Sequence, residues 1–183
     1  MPKRSLLFLA TVFMLSLAYA ATQWSVQPKE SSLGFTATQA GAKFDGRFDK
    51  FSADIRFDPA DLAGSRFDVR IDMTSVNTQD AERDDTLRGA DLFNVAKSPT
   101  AQYVAEQFTD KGTGKFSATG QLTLRNVTRP VPIEFSFEKN ADGAWLKGTA
   151  SIRRLDFGVG QGEWKDTDTV GNDVQIHFAL RLK

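Results

Sequence analysis

The chain has 183 residues, with 23 Lys plus Arg against 23 Asp plus Glu, one histidine and no cysteine. A neutral balance with both signs interspersed is not a nucleic-acid footprint, which needs a basic excess gathered on one face. Absence of cysteine excludes disulfides, thiol nucleophiles and a lipid-modified N-terminal cysteine.

Lys3 and Arg4 precede an uncharged apolar run from Leu6 to Leu17, and Ala18-Tyr19-Ala20 ends it in a small-x-small pattern. A dozen apolar residues are too few for a bilayer span of roughly 20. Residues 1–20 therefore read as a secretory signal peptide, and 21–183 as one exported domain without a membrane span. Cleavage between Ala20 and Ala21 removes two basic residues, so 21 remain against 23 acidic ones, a net charge of −2.

Eight strands are expected in the mature chain. The first is Leu33 to Thr38, and the second is Phe44 to Phe57, bent near Gly46. The third, Arg66 to Met73, is the most informative, because Phe67, Val69, Ile71 and Met73 alternate with Arg66, Asp68, Arg70 and Asp72. Period-two alternation of this kind marks a strand with one dry and one wet face. Thr78 to Gly89 then reads as a short helix: Thr78 as cap, Asp80 and Glu82 near its positive end, Arg88 and Gly89 at its exit. Five strands follow at Ala101 to Phe108, Phe116 to Leu124, Val131 to Phe137, Trp145 to Ile152 and Val174 to Leu182. Turn-rich pieces such as Asn140-Ala141-Asp142-Gly143 separate them. Evenly spaced strands with one apolar face imply an all-β barrel or sandwich with one or two short helices.

The apolar faces are compatible with a filled core or with a cavity. Thirteen of the fifteen phenylalanines follow residue 20, and a lining rich in Phe with few polar tips suits a hydrocarbon better than a sugar. Candidate lining residues are Phe35, Phe48, Phe57, Phe67, Val69, Ile71, Met73, Leu87, Phe93 and Phe135. Arg83 and Arg88 sit in the helical interruption where the sheet must open, and are candidates for a polar head group.

Signals for catalysis are poor. His177 alternates with Ile176 and Phe178, which places it on a wet face as a solvated residue. One imidazole and no thiolate do not supply a transition-metal site. Asp166 and Asp168 begin like a calcium loop, but Val170 stands at its fifth position and His177 at its twelfth. Asp84 and Asp85, adjacent on a helix, read as a solvated face rather than a proton-sharing pair. No catalytic residue, metal or cofactor is assigned.

Five blocks in order carry a family resemblance: Trp24-Ser25-Val26 with Ser31-Ser32-Leu33-Gly34-Phe35; Gly46-Arg47-Phe48 with Phe51, Ile55, Phe57 and Asp58; Met73 to Thr78 running into Arg83-Asp84, Leu87-Arg88, Asp91-Leu92-Phe93 and Pro99; Gly120 to Arg125 with Val127 to Val131; and Arg154-Leu155-Asp156-Phe157-Gly158. The chain resembles the YceI-like family of periplasmic polyisoprenoid-binding proteins. The resemblance implies an eight-stranded antiparallel lipocalin-like barrel that encloses the tail of an isoprenoid such as a polyprenyl phosphate or a quinone. It adds Arg154 to the head-group candidates. Thr86 departs from the histidine that relatives often carry before the Leu-Arg pair. The expected role is a non-enzymatic periplasmic carrier. The rival readings are a quinone- or lipid-linked redox accessory, or a ligand-free structural stress protein, and a homodimer is left open.

Overall fold

The computed structural model describes residues 21–183, so the expected signal peptide lies outside the described residues. Alternation of apolar and polar residues becomes eleven antiparallel strands in one sheet: β1 (Gln23–Trp24), β2 (Ser32–Gln39), β3 (Ala42–Phe48), β4 (Phe51–Arg56), β5 (Arg66–Asp72), β6 (Val76–Asn77), β7 (Thr100–Gly112), β8 (Lys115–Leu124), β9 (Val127–Asn140), β10 (Gly143–Arg153) and β11 (Asp173–Leu182). Their order is β1-β4-β5-β7-β8-β9-β10-β11-β2-β3-β6. The expected count of eight is corrected to eleven. The stretch from Phe44 to Phe57 is not one bent strand but two, broken at Asp49-Lys50, and the two-residue strands β1 and β6 are too short to show a period.

The sheet curls into a half-barrel. Among the described residues β3 and β4 share no ladder, and short pieces tie the two flanks of the sheet together at both ends. At one end Ser25 and Lys183 exchange backbone hydrogen bonds of 2.7 and 2.9 Å, while β1 pairs with β4. At the other, β6 pairs with β3 and the amide of Asp72 donates to the carbonyl of Lys50 at 3.0 Å.

Register decides which face is dry. Ile71 lies opposite Phe51 on β4 and Ala101 on β7, all three inward. A one-residue slip would turn Arg70 and Asp72 inward and bury two charges. Outside, Asp68 accepts from Gln102 at 2.7 Å and pairs with Arg66. Small inward residues admit large neighbours: the Phe35 ring covers Gly46 across the β2–β3 pair, and Tyr103 covers Gly120, where any Cβ would meet its ring.

The one α-helix among the described residues, α1 (Ala81–Arg88), starts later than expected. Asp80, not Thr78, is its cap, accepting from the amide of Arg83 at 3.1 Å. Thr78 instead donates its amide and hydroxyl to Asp84 Oδ1 at 2.8 and 2.7 Å. That overturns the solvated reading of Asp84, which is buried. Asp85 does face water and pairs with Arg88 at 2.8 Å. No helix among the described residues is long and apolar enough to cross a membrane.

Candidate functional site

The interior of the curled sheet is solid in one region and hollow in another. Phe57 is fully buried, with ring centroids of Phe67, Phe108, Phe116, Phe135 and Phe137 at 5.0 to 5.8 Å. Edge-to-face and tilted contacts of this kind fill space densely. Beside this cluster lies a cavity of about 500 Å³, within the roughly 300 to 1,000 Å³ usual for ligand sites.

Eight of the ten candidate lining residues border that cavity: Phe35, Phe48, Phe67, Val69, Ile71, Met73, Leu87 and Phe93. Phe57 and Phe135 do not; they belong to the aromatic cluster. Alternation marks both groups alike, because it reports the side of the sheet and not the space in front of it. Other lining residues lie in the expected strands without having been singled out, among them Leu33, Phe44, Tyr103 and Ile176, whereas Trp164 lies outside every expected element. Trp164 lies in the single 3-10 turn Gly162–Lys165, too short for a period to be read.

The mouth is formed where α1 crosses the end of the sheet. Gln39, Asp80, Glu82, Arg83, Thr86, Val170 and Trp164 ring it, each exposed or half-buried. The helix has no apolar stripe of its own; Leu87 alone among its residues is a large hydrophobe. It is held by the Thr78 and Asp84 bonds, and by Arg88, whose guanidinium donates to the carbonyls of Thr74 and Val76, both at 3.0 Å.

The three head-group candidates have different fates. Arg88 is engaged with those carbonyls and Asp85, and is not part of the lining. Arg154 borders the cavity but is buried, its guanidinium donating to the carbonyls of Val159, Trp164, Asp166, Val170 and Gly171. Burial pushes its pKa down, and the carbonyl cage satisfies its donors. Arg83 alone of the three sits at the mouth, its Nε donating to Gln39 Oε1 at 3.3 Å, its Nη2 3.5 Å from Asp80, and its plane 4.5 Å from the Phe44 ring centroid.

Polar chemistry inside is sparse. Tyr103 donates its hydroxyl to the Val131 carbonyl at 3.1 Å, and burial pushes its pKa up, so it stays a neutral phenol. His177 lies outside, exposed, against Gly34 on the neighbouring strand. Asp166 is drawn into its own turn, accepting from the Asp168 amide and the Thr169 hydroxyl, both at 2.9 Å. Among the described residues no three His, Cys, Asp or Glu side chains converge as a metal site.

Comparison with known proteins agrees with this architecture. The YceI-like domain family matches residues 24–182. A UPF0312 protein of Vibrio parahaemolyticus is 33% identical over 184 residues, covering 96% of this chain and 93% of that protein. The crystal structure of Burkholderia cenocepacia BcnA superposes with a TM-score of 0.83 at 32% identity, covering 87% of this chain and 99% of that one. A polyisoprenoid binding domain from Saccharophagus degradans, at 16% identity and a TM-score of 0.68, covers 87% of this chain and 97% of its own and shares the fold. With the family matching nearly the whole of the described chain and its blocks lying around one cavity, this protein belongs to the YceI-like family.

Proposed function

We propose that this protein is a periplasmic carrier that shelters the tail of a long-chain isoprenoid-type lipid in its cavity and catalyses no reaction on it. The observation that carries the reading is an apolar void of about 500 Å³ inside a curled sheet, open at a mouth ringed by polar residues. A filled core would leave no such space, because protein interiors close to crystal density. Burying tail carbons at about 0.8 kcal/mol per CH₂ drives association without covalent chemistry. The Saccharophagus neighbour, described as polyisoprenoid binding, supports the same ligand class. Residues 1–20 serve as the export signal and 21–183 as the binding domain.

Native mass spectrometry of the protein isolated from its own host tests this directly. A stoichiometric adduct that dissociates as a lipid, and a mature mass beginning at Ala21, are expected. Homogeneous apoprotein that also takes up no added isoprenoid would overturn the carrier reading.

A further inference from the structure

The charged groups of the lining are two arginines, Arg83 and Arg154, and two carboxylates, Asp80 and Glu82. They are not equally available. Arg154 spends its guanidinium on five backbone carbonyls. Arg83 faces Asp80 with one terminal nitrogen and Gln39 with Nε, and lies over Phe44. Glu82 makes no ion pair among the described residues and is exposed at the mouth. An anionic head group arriving there meets one carboxylate without a cation, and no cation without a carboxylate or carbonyls already on it.

Phosphate recognition depends on unspent charge and on several donors converging together. Drawing Arg83 onto a phosphate would give up its ion pair and leave the Asp80 carboxylate facing the same anion, and displacing the carbonyls from Arg154 would leave them buried and unpaired. A neutral polar group needs neither. Nη1 of Arg83 makes no hydrogen bond among the described residues and suits a carbonyl or hydroxyl oxygen, while Gln39, Glu82 and the Thr86 hydroxyl stand at the same rim.

We infer that the cavity selects lipids with an uncharged, hydrogen-bonding head group, a quinone, alcohol or amide, and discriminates against phosphorylated ones. The inference rests on the carrier reading above and narrows it.

Geranylgeraniol and geranylgeranyl monophosphate share one tail and differ only in charge, and Trp164 at the rim reports occupancy through its fluorescence. Titrated into the mature protein at low salt, the alcohol is expected to bind at least about tenfold more tightly than the phosphate. Glu82→Gln should narrow that ratio severalfold by strengthening phosphate binding alone, and so should Asp80→Asn, which keeps a capping side chain. Added salt should narrow it in the unmodified protein, since the exposed charges are screened. Equal or tighter binding of the phosphate overturns the selectivity and leaves the carrier reading standing. Failure of both lipids to bind overturns the two together.

Discussion

Arg154 and Gly160 divide one small volume between them: a Cβ at residue 160 would collide with Nη1 of Arg154 and crowd the Trp164 carbonyl. Residue 160 also has a φ of +116°, a backbone region that side chains rarely enter. The bend from Arg154 to Gly171 is therefore built around a guanidinium that fills its centre. Gly160→Ala should cost about 2 to 4 kcal/mol through strain and overpacking, read from the urea midpoint. Arg154→Met should cost more by orphaning several carbonyls. A variant at 160 as stable as the parent would show that the bend tolerates a side chain and that the cage is not rigid.

Asp84 anchors α1 to the sheet through Thr78. Asp84→Ala removes two charge-assisted hydrogen bonds, each contributing about 1.5 to 3 kcal/mol, and should release the helix locally. Hydrogen exchange is the appropriate measurement. Amides of residues 81–88 are expected to lose protection while those of β8 and β9 keep theirs. Uniform loss across the sheet would mean that the helix is part of the cooperative core.

Ile71 faces the cavity, between Phe51 and Ala101. Ile71→Trp should fold with little loss of stability, because void is available to the ring, and should carry far less lipid than the parent. In a filled core the same change costs about 1 to 3 kcal/mol. Arg70→Gln is the outward control. Asp72 is unsuitable for that purpose, since its carboxylate accepts from the Thr74 amide at 2.9 Å. A folded Trp variant with full lipid content would remove Ile71 from the binding surface.

Asp49 stands at the turn that separates β3 from β4, accepting from Asn77 Nδ2 at 2.8 Å and pairing with Arg47 at 2.6 Å. Those two contacts hold its carboxyl below the usual carboxylate range. A lowered folded pKa stabilises the native state above the unfolded value of about 3.9, and the contribution is lost as pH falls through the folded value. Asp49→Asn should flatten the acid limb of the stability profile in that window and leave it unchanged at neutral pH apart from a constant offset. Because the pair is half-exposed, added salt should shrink the difference.

Long ladders were legible in the sequence because their faces differ so sharply. Phe67, Val69 and Ile71 against Arg66, Asp68 and Arg70 admit one orientation, and β9 and β11 read the same way. Two-residue strands carry no period, so β1 and β6 were invisible, and the break at Asp49-Lys50 was hidden because Phe51 and Phe57 continue the apolar pattern beyond it. The cavity was only half legible. Parity told which residues face inward, yet Phe57 and Ile71 differ in what stands opposite them, which is set by strands distant in sequence. Arg154 entered through the family resemblance, and its engagement could not be read, because its five acceptors are backbone oxygens of residues 159–171 and carbonyls leave no trace in side-chain patterns. Thr78 was misread as a cap for a related reason: Asp80 offers the same chemistry two residues later.

The exchange of hydrogen bonds between Ser25 and Lys183 makes completion of the sheet an end-to-end event. β11 lies between β10 and β2, so the first hairpin of the chain waits for the last strand before it has a neighbour on its open side. Contacts of such sequence separation make folding slow, and until they form, the edges of β2 and β10 stand ready to pair with other chains. A chain cut before Asp173 would keep nearly all its hydrophobic residues and lose the strand that joins them, exchanging a lined cavity for an aggregate.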